Sequence, residues 1–151
     1  MKNKCFVFML SIFSFCSTHA QEQPKEECAT DNTATLKVNF STNQVKGVLY
    51  IAVFNKKEDY LKKRYKQHKL EMLDGKNKQL LIEGLCLHKD YSISAFLDEN
   101  DNASLDKNFL GIPKESYAFS NNVKGMFGPP NYEKTKITLD EDQKTISILV
   151  K

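Results

Sequence analysis

The fold is decided by residues 47–54, which read Gly-Val-Leu-Tyr-Ile-Ala-Val-Phe. This run is almost wholly apolar and rich in β-branched and aromatic side chains, which predicts a strand at the centre of a sheet. Shorter runs before and after it alternate apolar with polar residues, as strands with one buried face do. The apolar positions of those runs are Leu36, Val38, Phe40, Leu80, Ile82, Tyr91, Ile93, Ala95, Leu97, Ile137, Leu139, Ile146, Ile148 and Val150, and residues 70–72 add a candidate edge strand.

These runs predict an all-β fold, an antiparallel β-sandwich of about seven strands with Greek-key links. Residues 140–144 are predicted to form the turn of a C-terminal hairpin. Residues 56–69 differ from the rest, because they hold seven basic and two acidic residues. Tyr60, Leu61 and Tyr65 are spaced for one face of a helix, so one short helical connection is expected there. Its basic face is interpreted as solvated, and the alternative is a patch for acidic glycans or lipid headgroups.

The N-terminus has the three regions of a secretory signal peptide. Lys2 and Lys4 precede an apolar run over residues 5–16, and small Ala20 ends the segment. The apolar run is shorter than the roughly 20 residues that span a bilayer, and no second long apolar run follows. We therefore predict a signal peptide over 1–20, a polar leader over 21–35 and a β-sandwich domain over 36–151. An exported protein is expected in the periplasm, on the cell surface or in the medium, without a transmembrane segment after signal removal.

Charge and cysteine content fit this interpretation. The formal net charge of +3 falls to +1 without the two lysines of the signal, which argues against a nucleic-acid-binding protein. Cys28 and Cys86 remain in the mature chain. Two cysteines in an exported protein are consistent with a disulfide, and two reduced thiols are the alternative.

An acidic loop begins where the run over 91–97 ends. Its oxygen-bearing residues Asp98, Asn100, Asn102, Ser104 and Asp106 stand at positions 1, 3, 5, 7 and 9 of the pattern used by EF-hand calcium loops. Ser104 would contribute its backbone carbonyl oxygen. This spacing predicts a calcium site, and the alternative is a turn whose side chains bond to their own backbone.

The loop departs from the EF-hand pattern at two positions. Ala103 stands where a glycine would make the sharp turn easily, and Phe109 stands where the EF-hand has a bidentate glutamate. Glu99, Asp101 and Glu115 are candidates for the missing ligand. Calcium affinity is therefore expected to be weak, with a Kd of about 0.1–1 mM.

Residues 108–132 show neither helical nor strand periodicity. A segment this long within a compact domain is usually functional or partly structured. Aromatic side chains beside asparagine can form a shelf for a sugar or a peptide, and the alternative is that the rings cap one end of the sandwich. The candidate ligand-binding residues are Phe109, Tyr117, Phe119, Asn121, Asn122, Phe127 and Tyr132.

Several motifs occur together in this part of the chain: Phe-Leu-Asp at 96–98, NFLGIPKE at 108–115, SNN at 120–122 and FGPP at 127–130. Through them the chain resembles a family of exported bacterial domains of unknown function. The resemblance covers Leu36 to Val150 and implies a secreted or periplasmic protein with an immunoglobulin-like or transthyretin-like β-sandwich. It implies no reaction. Family members usually have glycine at the position of Ala103.

Familiar catalytic signatures are missing from the sequence, including G-x-S-x-G, H-E-x-x-H and a phosphate-binding glycine loop. Cys86 and His88 would share a face of an extended chain, but two groups are too few for a zinc site. We therefore predict a non-enzymatic binding or accessory module for an unknown glycan, peptide or envelope component. A purely structural envelope protein is the alternative, and a hydrolase with an unfamiliar site is the third.

Overall fold

The structure is a computed structural model that describes residues 28, 32–44, 46–72, 77–126 and 128–151. Within these residues, eight strands form two sheets, which confirms the all-β sandwich. The strands are β1 (Thr33–Thr42), β2 (Val48–Phe54), β3 (Lys66–Glu71), β4 (Asn77–Cys86), β5 (Asp90–Asp98), β6 (Tyr117–Phe119), β7 (Ile137–Thr138) and β8 (Gln143–Val150). A 3-10 turn (Ser120–Asn122) and a one-turn helix, α1 (Tyr132–Thr135), lie between β6 and β7. The predicted signal peptide over 1–20 lies outside the described residues.

The first sheet has the strand order β4-β1-β8. Strand β1 pairs antiparallel with β4 and parallel with β8, where Val38 lies opposite Ile146 and Phe40 opposite Ile148. Strand β1 begins at Thr33 rather than at the predicted boundary of Leu36, because the preceding residues still pair with the end of β4.

The second sheet has the order β3-β2-β5-β6, and β7 pairs with the start of β5. The predicted central position of residues 47–54 is confirmed, since β2 has β3 on one side and β5 on the other. Its outer face is covered: the Tyr50 ring stacks on Phe96 at 5.1 Å, and the Lys69 ammonium lies 4.6 Å from the Tyr50 centroid.

The core lies between the two sheets and is filled by the inward side chains of the alternating runs. Apolar positions of the first sheet meet those of the second, because successive side chains of a strand point to opposite faces. The buried set includes Leu36, Val38, Phe40, Leu49, Ile51, Val53, Ile82, Tyr91, Ile93, Leu97, Leu139, Ile148 and Val150.

The predicted helix over 56–69 is wrong. Two turns occupy its first half, where Leu61 has a left-handed φ of 58°, and strand β3 occupies its second half. Tyr60 does not contribute to a helix face but packs edge-on against Phe54 and Tyr132. Strand β3 satisfies the backbone groups along the edge of β2, which a helix would leave without partners.

The predicted C-terminal hairpin is also wrong. Residues 140–142 connect β7, which pairs with β5 in the second sheet, to β8, which pairs with β1 in the first. The segment is therefore a crossover between sheets. Lys144 stabilises it, because its ammonium donates to the Thr138 carbonyl oxygen at 2.9 Å and to the Asp140 carboxylate at 2.7 Å.

In the part of the chain that the structure describes, neither helical segment has the length and apolar character needed to cross a membrane.

Candidate functional site

The acidic loop starts at the last residue of β5 and lies beside the first residue of β2, because Asp98 pairs with Val48. Asp98 is only 1% exposed. Its Oδ1 accepts hydrogen bonds from the backbone N–H groups of Asn100 and Asn102, each at 3.3 Å, and its Oδ2 accepts from the Ala103 N–H at 2.7 Å. One buried carboxylate thus organises the first half of the loop.

The sharp turn that a glycine would make easily is formed here without one. Asp101 and Ala103 adopt left-handed φ values of 61° and 58°. Such a φ is unfavourable for alanine. The hydrogen bond from the Ala103 N–H to Asp98 holds the backbone in this conformation.

Asp106 brings the other predicted metal ligands together. Its carboxylate accepts from the Asn100 Nδ2 at 2.7 Å and from the Asn102 Nδ2 at 3.1 Å. The Asn102 Oδ1 accepts from the Ser104 N–H at 2.8 Å. Asp98, Asn100, Asn102 and Asp106 are therefore linked in one network, to which Ser104 contributes its backbone N–H.

Glu115, one of the three candidates for the missing ligand, completes this network. The side chain is 8% exposed, and its two oxygens accept from the Glu99 N–H at 3.1 Å and the Asp106 N–H at 3.0 Å. It therefore ties together both ends of the acidic loop. Its sequence signal is that it is the single acidic residue within residues 107–132. Among the described residues, no group of three or more His, Cys, Asp or Glu side chains is arranged as a metal site.

Residues 107–113 form a closed turn that we call the finger. Lys107 and Pro113 form an antiparallel bridge, and the Asn108 N–H donates to the Ile112 carbonyl oxygen at 2.9 Å. The Asn108 Oδ1 accepts from the N–H groups of Leu110 and Ile112 at 2.9 and 3.0 Å. At its base, the Lys114 N–H donates to the Asp106 carbonyl oxygen at 2.8 Å, so the finger is joined to the acidic loop.

The finger holds apolar side chains in solvent. Phe109 is 94% exposed, Leu110 67% and Ile112 55%. Of the predicted ligand-binding aromatic residues that the structure describes, Phe109 is the one that points fully outward. The finger therefore presents an apolar surface that is already exposed to solvent.

The other predicted aromatic residues lie against the sandwich. Phe119 is buried and packs edge-on against Tyr117 at 6.1 Å between centroids. Tyr132 is buried, and its hydroxyl donates to the Asp90 carbonyl oxygen at 3.1 Å. Burial, and secondarily the nearby Asp90 charge, raises the pKa of Tyr132 to about 12. Phe127 lies outside the described residues.

Asn121 and Asn122 make structural hydrogen bonds. Both adopt left-handed φ values, which asparagine tolerates better than most residues. The Asn121 Nδ2 donates to the carbonyl oxygens of Lys134 and Lys136 at 3.1 and 2.9 Å. The Asn122 side chain donates to the β8 backbone and accepts the Leu149 N–H at 2.8 Å, which covers the outer edge of β8.

A shallow groove of about 30 Å³ runs where β6 meets the end of the chain. Tyr117, Phe119 and Asn122 line it together with Lys124 and Lys151. Pockets for small organic ligands are about ten times larger. The groove thus accommodates a single small group rather than a sugar ring.

Cys28 and Cys86 are joined in a disulfide, with 5.4 Å between their Cα atoms. The bond leaves Cys86 without a free thiol, so the Cys86–His88 pair has no sulfur nucleophile in this state. The pair is not on one extended face either, because β4 ends at Cys86 and His88 has a left-handed φ of 56°.

Comparison with known proteins gives one family match. A family model described as an uncharacterised protein conserved in bacteria (DUF2141) matches residues 36–147. No curated protein matches the chain. No solved structure matches it either.

Proposed function

The chain belongs to this family of uncharacterised bacterial proteins, and from that premise we propose that it is an exported, non-enzymatic binding module. Its partner is a glycan, a peptide or another component of the cell envelope. Its binding end is the segment over residues 98–116, which contains the acidic loop, the finger and Glu115.

The observation that carries the proposal is the exposure of Phe109 on a hydrogen-bonded turn. Removal of apolar side chains from water lowers the free energy of the system. Contiguous exposed apolar residues therefore mark interaction sites. The sequence 108–112 instead uses the Asn108 side chain and a left-handed Gly111, with φ of 78°, to keep three apolar side chains outward. A partner that covers these three side chains removes them from water, which favours binding.

The base of the binding end supports this interpretation. Asp98 and Glu115 are buried carboxylates whose oxygens accept backbone N–H groups. Hydrogen bonds to charged acceptors are stronger than neutral ones. They hold the loop in one conformation before any partner arrives, which lowers the entropy lost on binding.

The experiment is retention of the purified protein on washed cell envelopes of the producing bacterium. Wild type is expected to be retained and Phe109→Ser to be lost from the envelope fraction, because the most exposed apolar contact is removed. Leu81→Ser is the matched control, since Leu81 is an exposed apolar residue on β4, outside the binding end. Equal retention of wild type and Phe109→Ser, or no retention of wild type, contradicts the proposal.

Weak calcium binding by the acidic loop is a second proposal, which the convergence of Asn100, Asn102 and Asp106 favours. Both amides direct Nδ2 at the Asp106 carboxylate. A half-turn of each amide would replace these donors by Oδ1 atoms, and a cation could then take three side-chain oxygens. Rotation of the two amides would break the hydrogen bonds that their Oδ1 atoms accept from the N–H groups of Asn102 and Ser104. Affinity is therefore expected in the weak range of about 0.1–1 mM.

A calcium titration followed by thermal unfolding tests this second proposal. At about tenfold excess over Kd, binding stabilises the folded state by about 1.4 kcal/mol, which corresponds to a rise in Tm of roughly 4–6 °C. Asp106→Asn should abolish the rise. Glu141→Gln, an exposed change outside the loop, should retain it. No rise in wild type at millimolar calcium, or an equal rise in Asp106→Asn, excludes the site.

A further inference from the structure

The finger combines apolar exposure with positive charge at its base. Phe109, Leu110 and Ile112 are exposed at its tip, and the exposed residues Lys107 and Lys114 stand on either side. No acidic residue lies within residues 107–114. This arrangement matches the two layers of a bilayer surface, where phosphate headgroups lie above acyl chains.

We propose that the finger docks the protein on a lipid bilayer, with the tip in the acyl boundary and the two lysines at the phosphates. The inference rests on the proposed binding function and names its partner as a lipid surface. Aromatic and aliphatic side chains need to enter only about 5–10 Å to reach apolar surroundings. The two flanking ammonium groups would then lie at the level of the anionic headgroups.

The shape of the finger favours a bilayer over a protein partner. Stable protein interfaces bury about 800 Å² on each partner over some 20–30 residues. The finger offers three apolar side chains on a turn of seven residues, 107–113. A fluid lipid surface can surround such a tip from every side, whereas a protein would need a matching cavity.

The closed turn also suits insertion into an apolar medium. Backbone N–H groups that enter a bilayer need internal partners. Leu110 and Ile112 donate theirs to the Asn108 side chain, and Gly111 donates to the Asn108 carbonyl oxygen at 2.9 Å. These three N–H groups therefore keep their hydrogen bonds when water is removed.

Acidic side chains of the neighbouring loop would oppose contact with anionic lipid. Asp98 is withdrawn by burial, and the Asp106 carboxylate is covered by two amides. Glu99 and Asp101 remain exposed. In the docked state, the two lysines must therefore lie closer to the headgroups than the carboxylates of Glu99 and Asp101. An orientation with the finger tip pointing into the bilayer permits this, because Lys107 and Lys114 flank the tip.

The test is co-sedimentation of the purified protein with vesicles of phosphatidylethanolamine and a minor share of phosphatidylglycerol. The buffer contains EDTA, so that the result does not depend on calcium. Wild type is expected to bind, and Phe109→Ser should lower the partition coefficient on the order of tenfold, as expected for a lost buried aromatic side chain. Leu81→Ser should bind like wild type. Each variant is first shown to unfold at the wild-type temperature, since Phe109 and Leu81 are exposed.

The lysines are tested with a Lys107→Gln/Lys114→Gln variant. It should lose most of the binding to the phosphatidylglycerol vesicles and little of the weaker binding to vesicles of phosphatidylcholine alone, because only the former carry net negative charge. Added salt should weaken wild-type binding to the anionic vesicles in the same way.

Three results overturn the inference: no binding of wild type to any vesicle, equal binding of wild type and Phe109→Ser, or a Phe109-dependent dimer in place of vesicle binding. Retention on washed envelopes without binding to pure lipid vesicles would assign the finger to an envelope glycan or protein. In that case the inference fails and the proposed function stands. If the wild type binds neither envelopes nor vesicles, both the proposed function and the lipid inference fail.

Discussion

At the two ends of the second sheet, neighbouring residues restrict which side chain Gly47 and Asp90 can be replaced by. Gly47 precedes β2 and has a φ of 142°, and a Cβ added there would lie 2.8 Å from the Asp98 carbonyl oxygen and 3.0 Å from two Leu97 carbons. Glycine is thus required both by the backbone conformation and by the close approach of β5. At the opposite end, Asp90 joins β7 to β5 through Thr138 and Lys136.

Gly47→Ala is expected to destabilise the fold by about 2–3 kcal/mol, because backbone strain and a steric clash act together. Gly111→Ala is the control for strain alone: its φ is 78°, but no atom lies within 4 Å of the added Cβ. That change should cost about 1 kcal/mol. Urea unfolding measures both, and equal losses would show that the approach of Asp98 and Leu97 imposes no constraint.

Asp90 gives the fold a defined acid sensitivity. The hydrogen bond from Thr138, followed by the bond and charge of Lys136, lowers the pKa of Asp90 below its ordinary value of 3.8, and burial opposes this only in part. A carboxyl group with a lowered pKa contributes stability that is present above pH 3.8 and lost as the pH falls through the folded value. The difference in unfolding free energy between wild type and Asp90→Asn should therefore shrink with acidification. A difference that stays constant with pH would contradict this assignment.

At the scale of elements, the proposed binding end consists of two consecutive turns, the acidic loop and the finger. Asp98 closes the acidic loop at its start, and Asn108 closes the finger. Glu115 joins the two ends of the acidic loop, because its carboxylate accepts from the Glu99 and Asp106 N–H groups. These contacts connect the end of β5 to the start of β6 without regular secondary structure. Side-chain acceptors replace the backbone acceptors that a strand or helix would provide.

Glu115→Gln is expected to lower the unfolding free energy by about 1–3 kcal/mol, since the amide supplies one acceptor in place of two and faces a backbone N–H with its own donor. Glu99→Gln, a change of the same type at an exposed side chain, should alter it by less than about 0.5 kcal/mol. Urea unfolding compares the two. Amide hydrogen exchange should accelerate at Glu99 and Asp106 in the Glu115 variant, and unchanged exchange there would exclude the bridging role.

At the scale of the whole molecule, the chain crosses repeatedly between two sheets. After β1 in the first sheet, the chain enters the second sheet at β2 and returns to the first at β4. It enters the second sheet again at β5 and returns to the first at β8. The sheets also meet at one corner, where Tyr117 and Lys151 exchange backbone hydrogen bonds of 3.4 and 3.3 Å. The disulfide adds a covalent tie between Cys28 and the end of β4.

A Cys28→Ser/Cys86→Ser variant is expected to lose about 3–4 kcal/mol of stability, because the bond closes a loop with a sequence separation of 58 residues and restricts the unfolded chain. Urea unfolding of the variant and of the wild type under oxidising conditions measures the loss. A reducing agent should bring the wild type to the stability of the variant. Equal stability of the oxidised wild type and the variant would contradict a stabilising disulfide.

The sequence by itself determined which residues form most of the strands and which side chains fill the core. Alternation of apolar and polar residues is a local property: a strand places successive side chains on opposite faces, and one face must leave water. The runs at 36–40 and 91–97 therefore identified their own buried positions. In the run at 146–150, Ile148 and Val150 are buried and Ile146 is partly buried. The composition of the acidic loop likewise indicated that Asp98, Asn100, Asn102 and Asp106 belong to one turn.

The tertiary structure alone decided which strands pair and which polar side chains support the backbone. The parallel pairing of β1 with β8 and the formation of β3 where helical spacing was present depend on edges offered by distant segments. Asn121, Asn122 and Glu115 satisfy backbone groups that are brought near them only by folding. Local periodicity cannot specify these partners, because an edge strand or an unpaired N–H exists only after the sheets have formed.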